Sequence, residues 1–411
     1  MISSPYHLFE GFGIELEYMI VDKETLQVKP IADDLLKHEL GSIGSDFENG
    51  IITWSNELVL HVIEIKSTRP EADLAMLEKA FVRNVTQINS ILNEWNAMLL
   101  PTAAHPFMDP YADSQLWPHD NNEVYALYDK IFNSKGHGWS NLQSTHLNLP
   151  FNGDAEFAKL HAAIRLILPL LPGLCASSPI LDGKTSGMLD TRLRFYKTNQ
   201  SKIPVITGKI IPEEVYTRDE YHKTIYQPIA KEIAIHDIEN ILDPVWVNSR
   251  GAIARFDRGS IEIRVMDIQE CPAADLAIVN LVVETLQLLV SEKLISLDDQ
   301  MKMDTHMLAQ LFDKTTITGL STLVEDKSFL SAFGLDSPVS MKEVWKSILK
   351  NIPGTNAYQK ANQTIINTIL EQGCLSERIL RELGSTSAPE KIESVYKKLS
   401  SCLAENKLFI P

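Results

Sequence analysis

The stretch GFGIELEYMIV, residues 11–21, decides how this chain is read. At the two-residue period of a strand, Ile14, Leu16, Tyr18 and Ile20 share one face, and Glu15, Glu17 and Met19 share the other. Residues two apart on a strand lie roughly 7 Å apart at Cα. Two ionised carboxylates at that spacing repel one another unless a cation lies between them. Taken alone, the pattern reads most simply as an amphipathic edge strand with a solvated acidic face.

Its recurrence changes that reading. In VLHVIEIK (residues 59–66) Glu64 lies on the face of Leu60 and Val62, with His61 opposite beside Val59, Ile63 and Ile65. In QSTHLNL (143–149) His146 and Asn148 share a face with Ser144. In IEIRVMD (261–267) Glu262 and Arg264 share a face, opposite Ile261, Ile263 and Val265. Carboxylates, an imidazole and a guanidinium on the polar side of one sheet suggest a single site for a hard metal and phosphate, because Mg²⁺ takes oxygen ligands and keeps phosphate in its shell.

The chain has 411 residues, 44% hydrophobic and 22% charged, enough for one large domain and a smaller one. A formal net charge of −16 argues against nucleic acid or an anionic membrane as partner, since both reward a basic surface. It does not argue against ATP, which needs only local cations. The N-terminal MISSPYHLFEGFG lacks the basic and apolar regions of a signal peptide, and the most apolar run, 164–176, is short and carries Pro169 and Pro172. A cytoplasmic protein is expected. Cys175, Cys271, Cys374 and Cys402 form no C-x-x-C pair and read as reduced thiols, neither zinc ligands nor a disulfide framework.

Along the chain, STRPEAD reads as a helix start with Thr68 as cap, followed by a helix through LAMLEKAFVRNVTQINSILNEW. A polar, aromatic loop runs to Trp139 and reads as functional because of its length. Residues 154–171 read as an apolar helix ending at Pro172-Gly173. Gly183-Lys184-Thr185 resembles the end of a Walker loop, but Ser178 stands where that pattern needs glycine, and the reading is rejected. PAADLAIVNLVVETLQLLVSEKL is the clearest helix. Beyond it come helical patterns at 301–312, 341–349, 357–372 and 388–403, with almost no strand signal. Strands with intervening helices, then helices alone, argue for an α+β fold with a helical C-terminal portion. The expected division is 1–290 and 291–411.

Six motifs, in order, resemble the glutamate–cysteine ligase family, in particular its second branch of bacterial carboxylate–amine ligases. They are GIELEY, IEIKSTRP, AAHPF, HLNL, ASSPILDG followed by TSGM and TRLRFY, and GSIEIRVMDIQECPAADLAI, spanning about residues 10–290. One departure is Asp190, where a small hydroxyl residue is expected before Arg192.

The resemblance implies a glutamine-synthetase-like fold, with a curved, mainly antiparallel sheet, helices on its convex side and the active site in its concave face. It implies that Glu15, Glu17, Glu64, His146 and Glu262 hold Mg²⁺, with Mn²⁺ as a substitute, and that Arg264 contacts the transferring phosphate. Arg192, Arg194 and Arg255 become candidates for binding the nucleotide or an amino-acid carboxylate, and Glu57 is an alternative to Glu64. His105 reads as a structural turn residue. The implied activity is ATP-dependent joining of glutamate's γ-carboxylate to an amine such as cysteine. The partners are then small molecules, and a homo-oligomer is left open. Three competitors stand beside it: a family ligase using another amine or a guanidino kinase of related fold, a metal-dependent hydrolase on the same carboxylates, and a non-catalytic nucleotide-binding relative.

Overall fold

The computed structural model describes residues 5–385 and 388–411. The alternating opening stretch forms β1 (Gly13–Asp22). It is followed by β2 (Asp46–Asn49), β3 (Ile52–Asn56), β4 (Val62–Ser67), β5 (Ala97–Leu100) and β6 (Ser144–Pro150). A small hairpin, β7 (Ile180–Leu181) and β8 (Lys184–Thr185), precedes β9 (Ala252–Arg255) and β10 (Ser260–Asp267). The main sheet has eight strands in the order β2-β3-β4-β1-β6-β10-β9, with β5 also paired to β1, and every pairing is antiparallel. β1 is therefore central, not an edge strand: β4 lies along one side, and β6 and β5 share the other. Gly183-Lys184-Thr185 belongs to the β7–β8 hairpin, in accord with rejecting the Walker reading.

One face of the sheet is dry. Ile14, Leu16, Tyr18 and Ile20 are fully buried and join a core that includes Leu77, Phe81, Val85, Ile88 and Leu92 of the helix Leu74–Glu94. These helical residues recur at the three- and four-residue spacing of one stripe, and each fully buried Leu, Ile, Val or Phe side chain is worth roughly 1.5–3 kcal/mol. The helix Pro272–Val290 is buried along nearly its whole length and packs against the helices Gly153–Ile167, Leu74–Glu94 and Ala357–Gln372. Among the described residues two segments, Gly153–Cys175 and Pro272–Val290, are long and apolar enough to cross a membrane, but 89% and 67% of their 18-residue apolar stretches lie inside the fold, which accounts for their hydrophobicity.

A short helix, Ala32–Leu40, precedes the helix Leu74–Glu94, which starts later than Thr68. Glu71 bridges to Phe12, so the chain stays extended through Pro70, which biases the residue before it away from helix. Thr68 Oγ1 meets Thr53 Oγ1 at 2.9 Å instead, and the cap is Asp73, which accepts from the amides of Ala75 and Met76 at 2.9 and 3.1 Å. Asp73→Ala is expected to cost about 0.5–2 kcal/mol, read as a shift of the urea midpoint at unchanged slope.

The long polar loop is partly helical, with Asn122–Phe132 as its main element. The apolar run after β6 does not stop at Pro172. It passes through a 3₁₀ turn, Leu168–Leu170, into Leu171–Cys175, with Pro169 and Pro172 at the first-turn positions where a missing N–H costs nothing. Helices at Met341–Leu349, Ala357–Gln372 and Pro389–Glu405 follow the expected patterns, whereas the pattern at 301–312 splits into Leu297–Met301 and Thr305–Thr318, and Leu375–Leu383 was not anticipated. Cys175, Cys271 and Cys374 are buried free thiols and Cys402 is half-buried.

The other face of the sheet divides along β1. Glu15 and Glu17 look into a cleft, but Met19 and Val21, on the same face, are covered by Leu375, Ile379, Val395, Tyr396 and Leu399 from the C-terminal helices. These helices seal one end of the face that carries the carboxylates.

Candidate active site

The cleft encloses about 580 Å³ and is lined from β1, β4, β6, β9 and β10. Register places its charges. Glu15 lies opposite Lys66 and Glu17 opposite Glu64 across the β1–β4 ladder, and Glu15 lies opposite His146 across the β1–β6 ladder. Glu262 pairs with Asn148 in register on the far side of β6. Directly opposed residues have Cβ atoms about 4.5–5.5 Å apart, so five ligand candidates from four separate runs meet on one patch.

Glu15 Oε2 is 2.8 Å from His146 Nδ1, and its Oε1 accepts from Asn148 Nδ2 at 3.0 Å. Glu17 Oε2 accepts from the Ser144 amide at 2.7 Å and its hydroxyl at 2.9 Å, while Oε1 lies 4.0 Å from His146 Nε2. Glu64 Oε2 is 2.7 Å from Lys66 Nζ. Glu262 stands between two guanidinium groups, with Arg255 Nε and Arg264 Nε each 3.3 Å from one of its oxygens. Burial works against ionised Glu15, yet the His146 hydrogen bond and nearby cations hold it down to about 2. Burial and then the Glu15 charge push Glu64 up to about 7, and burial with the charges of Glu17 and Glu64 pushes Glu57 well above the usual carboxylate range.

This donor set fits a hard divalent cation. Glu15, His146 and Glu262 offer one ligand atom each within 4.8 Å of one another, and so do Glu17, Glu64 and His146. Buried carboxylates that repel one another carry charge that oxygen-seeking Mg²⁺ or Mn²⁺ neutralises.

The arginine candidates separate. Arg255 and Arg264 face the cleft. Arg192 reaches its wall but is ion-paired to the fully buried Asp267, which also accepts from the Ser177 amide at 2.8 Å and Ser178 Oγ at 3.0 Å. Arg194 is exposed and outside the cleft: on the helix Thr191–Thr198, residues two apart point to nearly opposite sides. Asp190, the departure from the family pattern, caps that helix by accepting from the Leu193 amide at 2.9 Å. His105 is the expected structural residue: its Nε2 is 2.7 Å from the Leu26 carbonyl and its Nδ1 accepts from the Phe107 and Met108 amides. His61 leaves the strand pattern, because β4 begins at Val62, and its Nε2 instead lies 2.7 Å from the Ser140 carbonyl.

Sequence reasoning passed over Lys66, which the period of two places on the face of Glu64, and Asp267, which lies past a bulge in β10. It named the long loop as far as Trp139 but not Tyr125 and Tyr128, which, with Trp139 and Trp246, give the cleft an aromatic wall.

An antiparallel sheet with a polyanionic, arginine-bordered cleft on one face suits a carboxylate–amine ligase, and the comparisons point to that class. The model of glutamate–cysteine ligase family 2 matches residues 11–398, and the chain belongs to that family. A protein of Archaeoglobus fulgidus whose name assigns no function is 31% identical over 97% of this chain and all of its own length. A Ruegeria pomeroyi protein with a provisional glutamate–cysteine ligase 2 designation is 26% identical over 62% of this chain and 60% of its own. Among solved structures, the Francisella tularensis glutamate–cysteine ligase in complex with AMP superposes with a TM-score of 0.62 at 15% identity, covering 95% of this chain and 88% of that one. A bifunctional glutathione synthetase from Pasteurella multocida gives 0.52 at 12% identity, over 95% of this chain and 52% of that one. At these identities the likeness establishes the shared, glutamine-synthetase-like fold.

Proposed function

We propose that this protein is an ATP- and Mg²⁺-dependent ligase joining the γ-carboxylate of glutamate to the amine of cysteine, with Mn²⁺ able to replace Mg²⁺. The observation that carries the reading is the convergence of Glu15, Glu17, Glu64, His146 and Glu262 with Arg255 and Arg264 on one cleft face. A carboxylate is too poor an electrophile to condense with an amine in water. In the proposed route its oxygen attacks the γ-phosphorus of ATP and ADP leaves. The amine then attacks the acyl phosphate carbon, phosphate departs, and the amine loses a proton. No enzyme nucleophile is needed.

Glu15, Glu17, Glu64, His146 and Glu262 are the metal-holding residues in this reading, and the bound ions supply charge neutralisation along the phosphates. Glu262 orients Arg255 and Arg264, whose guanidinium groups meet negative charge on the transferring phosphoryl group. Arg192, spent on Asp267, holds the cleft wall in place. Residues 1–290 carry this machinery, and 291–411 supply the helices that close its end.

The test is ADP release by the purified protein with Mg²⁺, ATP and glutamate, run with cysteine, with a panel of other amines and with no amine. Release that requires both glutamate and cysteine, with the dipeptide's mass in the product, supports the reading. Release with another amine keeps the chemistry and replaces the acceptor. No release with any pair removes the ligase reading and turns attention to nucleotide-independent hydrolysis.

A further inference from the structure

Among the described residues lining the cleft there is one lysine, Lys66. Its position is built: Ile63 and Ile65 bury the opposite face of β4, so the Lys66 side chain is directed to the cleft side, across from Glu15. The ammonium lies 2.7 Å from Glu64 Oε2 and 3.8 Å from Asp46 Oδ1. Glu64 is also one of the three donors, with Glu17 and His146, that come within 4.8 Å of one another. A divalent ion on that trio and the Lys66 ammonium therefore compete for the same carboxylate.

The other cations lining the cleft are engaged differently, and Arg258, 3.7 Å from Asp257, is largely exposed. Arg255 and Arg264 flank Glu262, and Arg192 is committed to Asp267. A guanidinium is a rigid planar fork, whereas lysine is a point charge on a flexible four-carbon stem. Lys66 can therefore swing off the buried Glu64 when a second anion takes the ammonium and a metal ion takes the carboxylate, so that neither charge is left unpaired.

We propose that Lys66 is a resident counter-ion that competes with a divalent cation for Glu64 and keeps that metal position weak until the ammonium is drawn away. A polyphosphate entering the cleft is the chemical class of ligand that would draw it, since the same ammonium then pairs with phosphate and releases Glu64. The inference rests on the metal-binding reading of the cleft given above. Lys66 is thus a positioning residue, acting on the metal through Glu64.

The test is Mn²⁺ titration of the whole protein without nucleotide or amino acid, followed by electron paramagnetic resonance of the free ion. Lys66→Gln and Lys66→Met are expected to bind Mn²⁺ at least about ten-fold more tightly than the unaltered protein, because a neighbouring positive charge has been removed. Lys66→Arg is expected to restore the weaker binding. Equal or weaker Mn²⁺ binding by folded Lys66→Gln and Lys66→Met overturns the inference and leaves the ligase reading standing. No Mn²⁺ binding by the unaltered protein or by either variant overturns the metal reading itself, and this inference with it.

Discussion

Glu15→Gln and Glu262→Gln are each expected to lower glutamate-dependent ADP release by about 100- to 1000-fold, the usual loss when one group that stabilises transition-state charge is removed. Glutamine is nearly isosteric, so the fold should survive, and an unchanged circular dichroism spectrum checks this. In Glu15→Gln the partner of His146 Nδ1 loses its charge, as does the acceptor of Asn148 Nδ2. In Glu262→Gln the two guanidinium groups 3.3 Å away lose the anion between them. Both variants should also need more Mg²⁺ for half-maximal ADP release. Glu262 is buried, so a purely structural Glu262 would show as lost stability, as breaking a buried pair does, with turnover by the folded protein almost intact. Full ADP release by Glu15→Gln or Glu262→Gln would sink the proposed chemistry.

Alternation made the four site strands readable, because a strand with one buried face leaves its side chains no choice of side. Ile14, Leu16, Tyr18 and Ile20 against Glu15 and Glu17 is the clearest case, and the ladders then brought His146, Glu64 and Glu262 beside them. Lys66 obeyed the same rule and was still missed. Period tells which face a charge occupies, not whether a ligand or its competitor stands there. Arg194 failed for the complementary reason: its segment was read without a period, and a helix separates Arg192 from Arg194. The aromatic wall was out of reach, since Tyr125, Trp139 and Trp246 arrive from segments whose paths depend on distant packing. The late start of the helix Leu74–Glu94 turned on Phe12 pairing with Glu71 across the chain, which local helix signals do not contain.

Arg378→Met is expected to destabilise the protein by about 3–5 kcal/mol, the cost of leaving a buried carboxylate without its partner. Arg378 and Glu270 are both fully buried and ion-paired. Arg378 also donates to the Phe409 carbonyl at 2.7 Å, and the Phe409 amide donates back to Glu270 at 3.2 Å. The pair therefore ties the segment after β10, the helix Leu375–Leu383 and the C-terminal tail together, beside the helices that cover Met19 and Val21. Glu270 lies three residues beyond Asp267, which holds Arg192 at the cleft wall, so the tail and the site share one short support. Denaturant unfolding followed by fluorescence measures the loss, provided the transition stays single. Adding Glu270→Gln to Arg378→Met should recover part of it, because the uncompensated charge is then gone, and the non-additivity of the two changes reports their coupling. Proteolysis near Phe409 should quicken in Arg378→Met alone, while ADP release well below the unfolding range stays close to that of the unaltered protein, since Arg378 does not line the cleft. A loss under about 1 kcal/mol, the range of solvent-exposed pairs, would mean that water reaches Glu270 and that the tail is held by Phe409 packing instead.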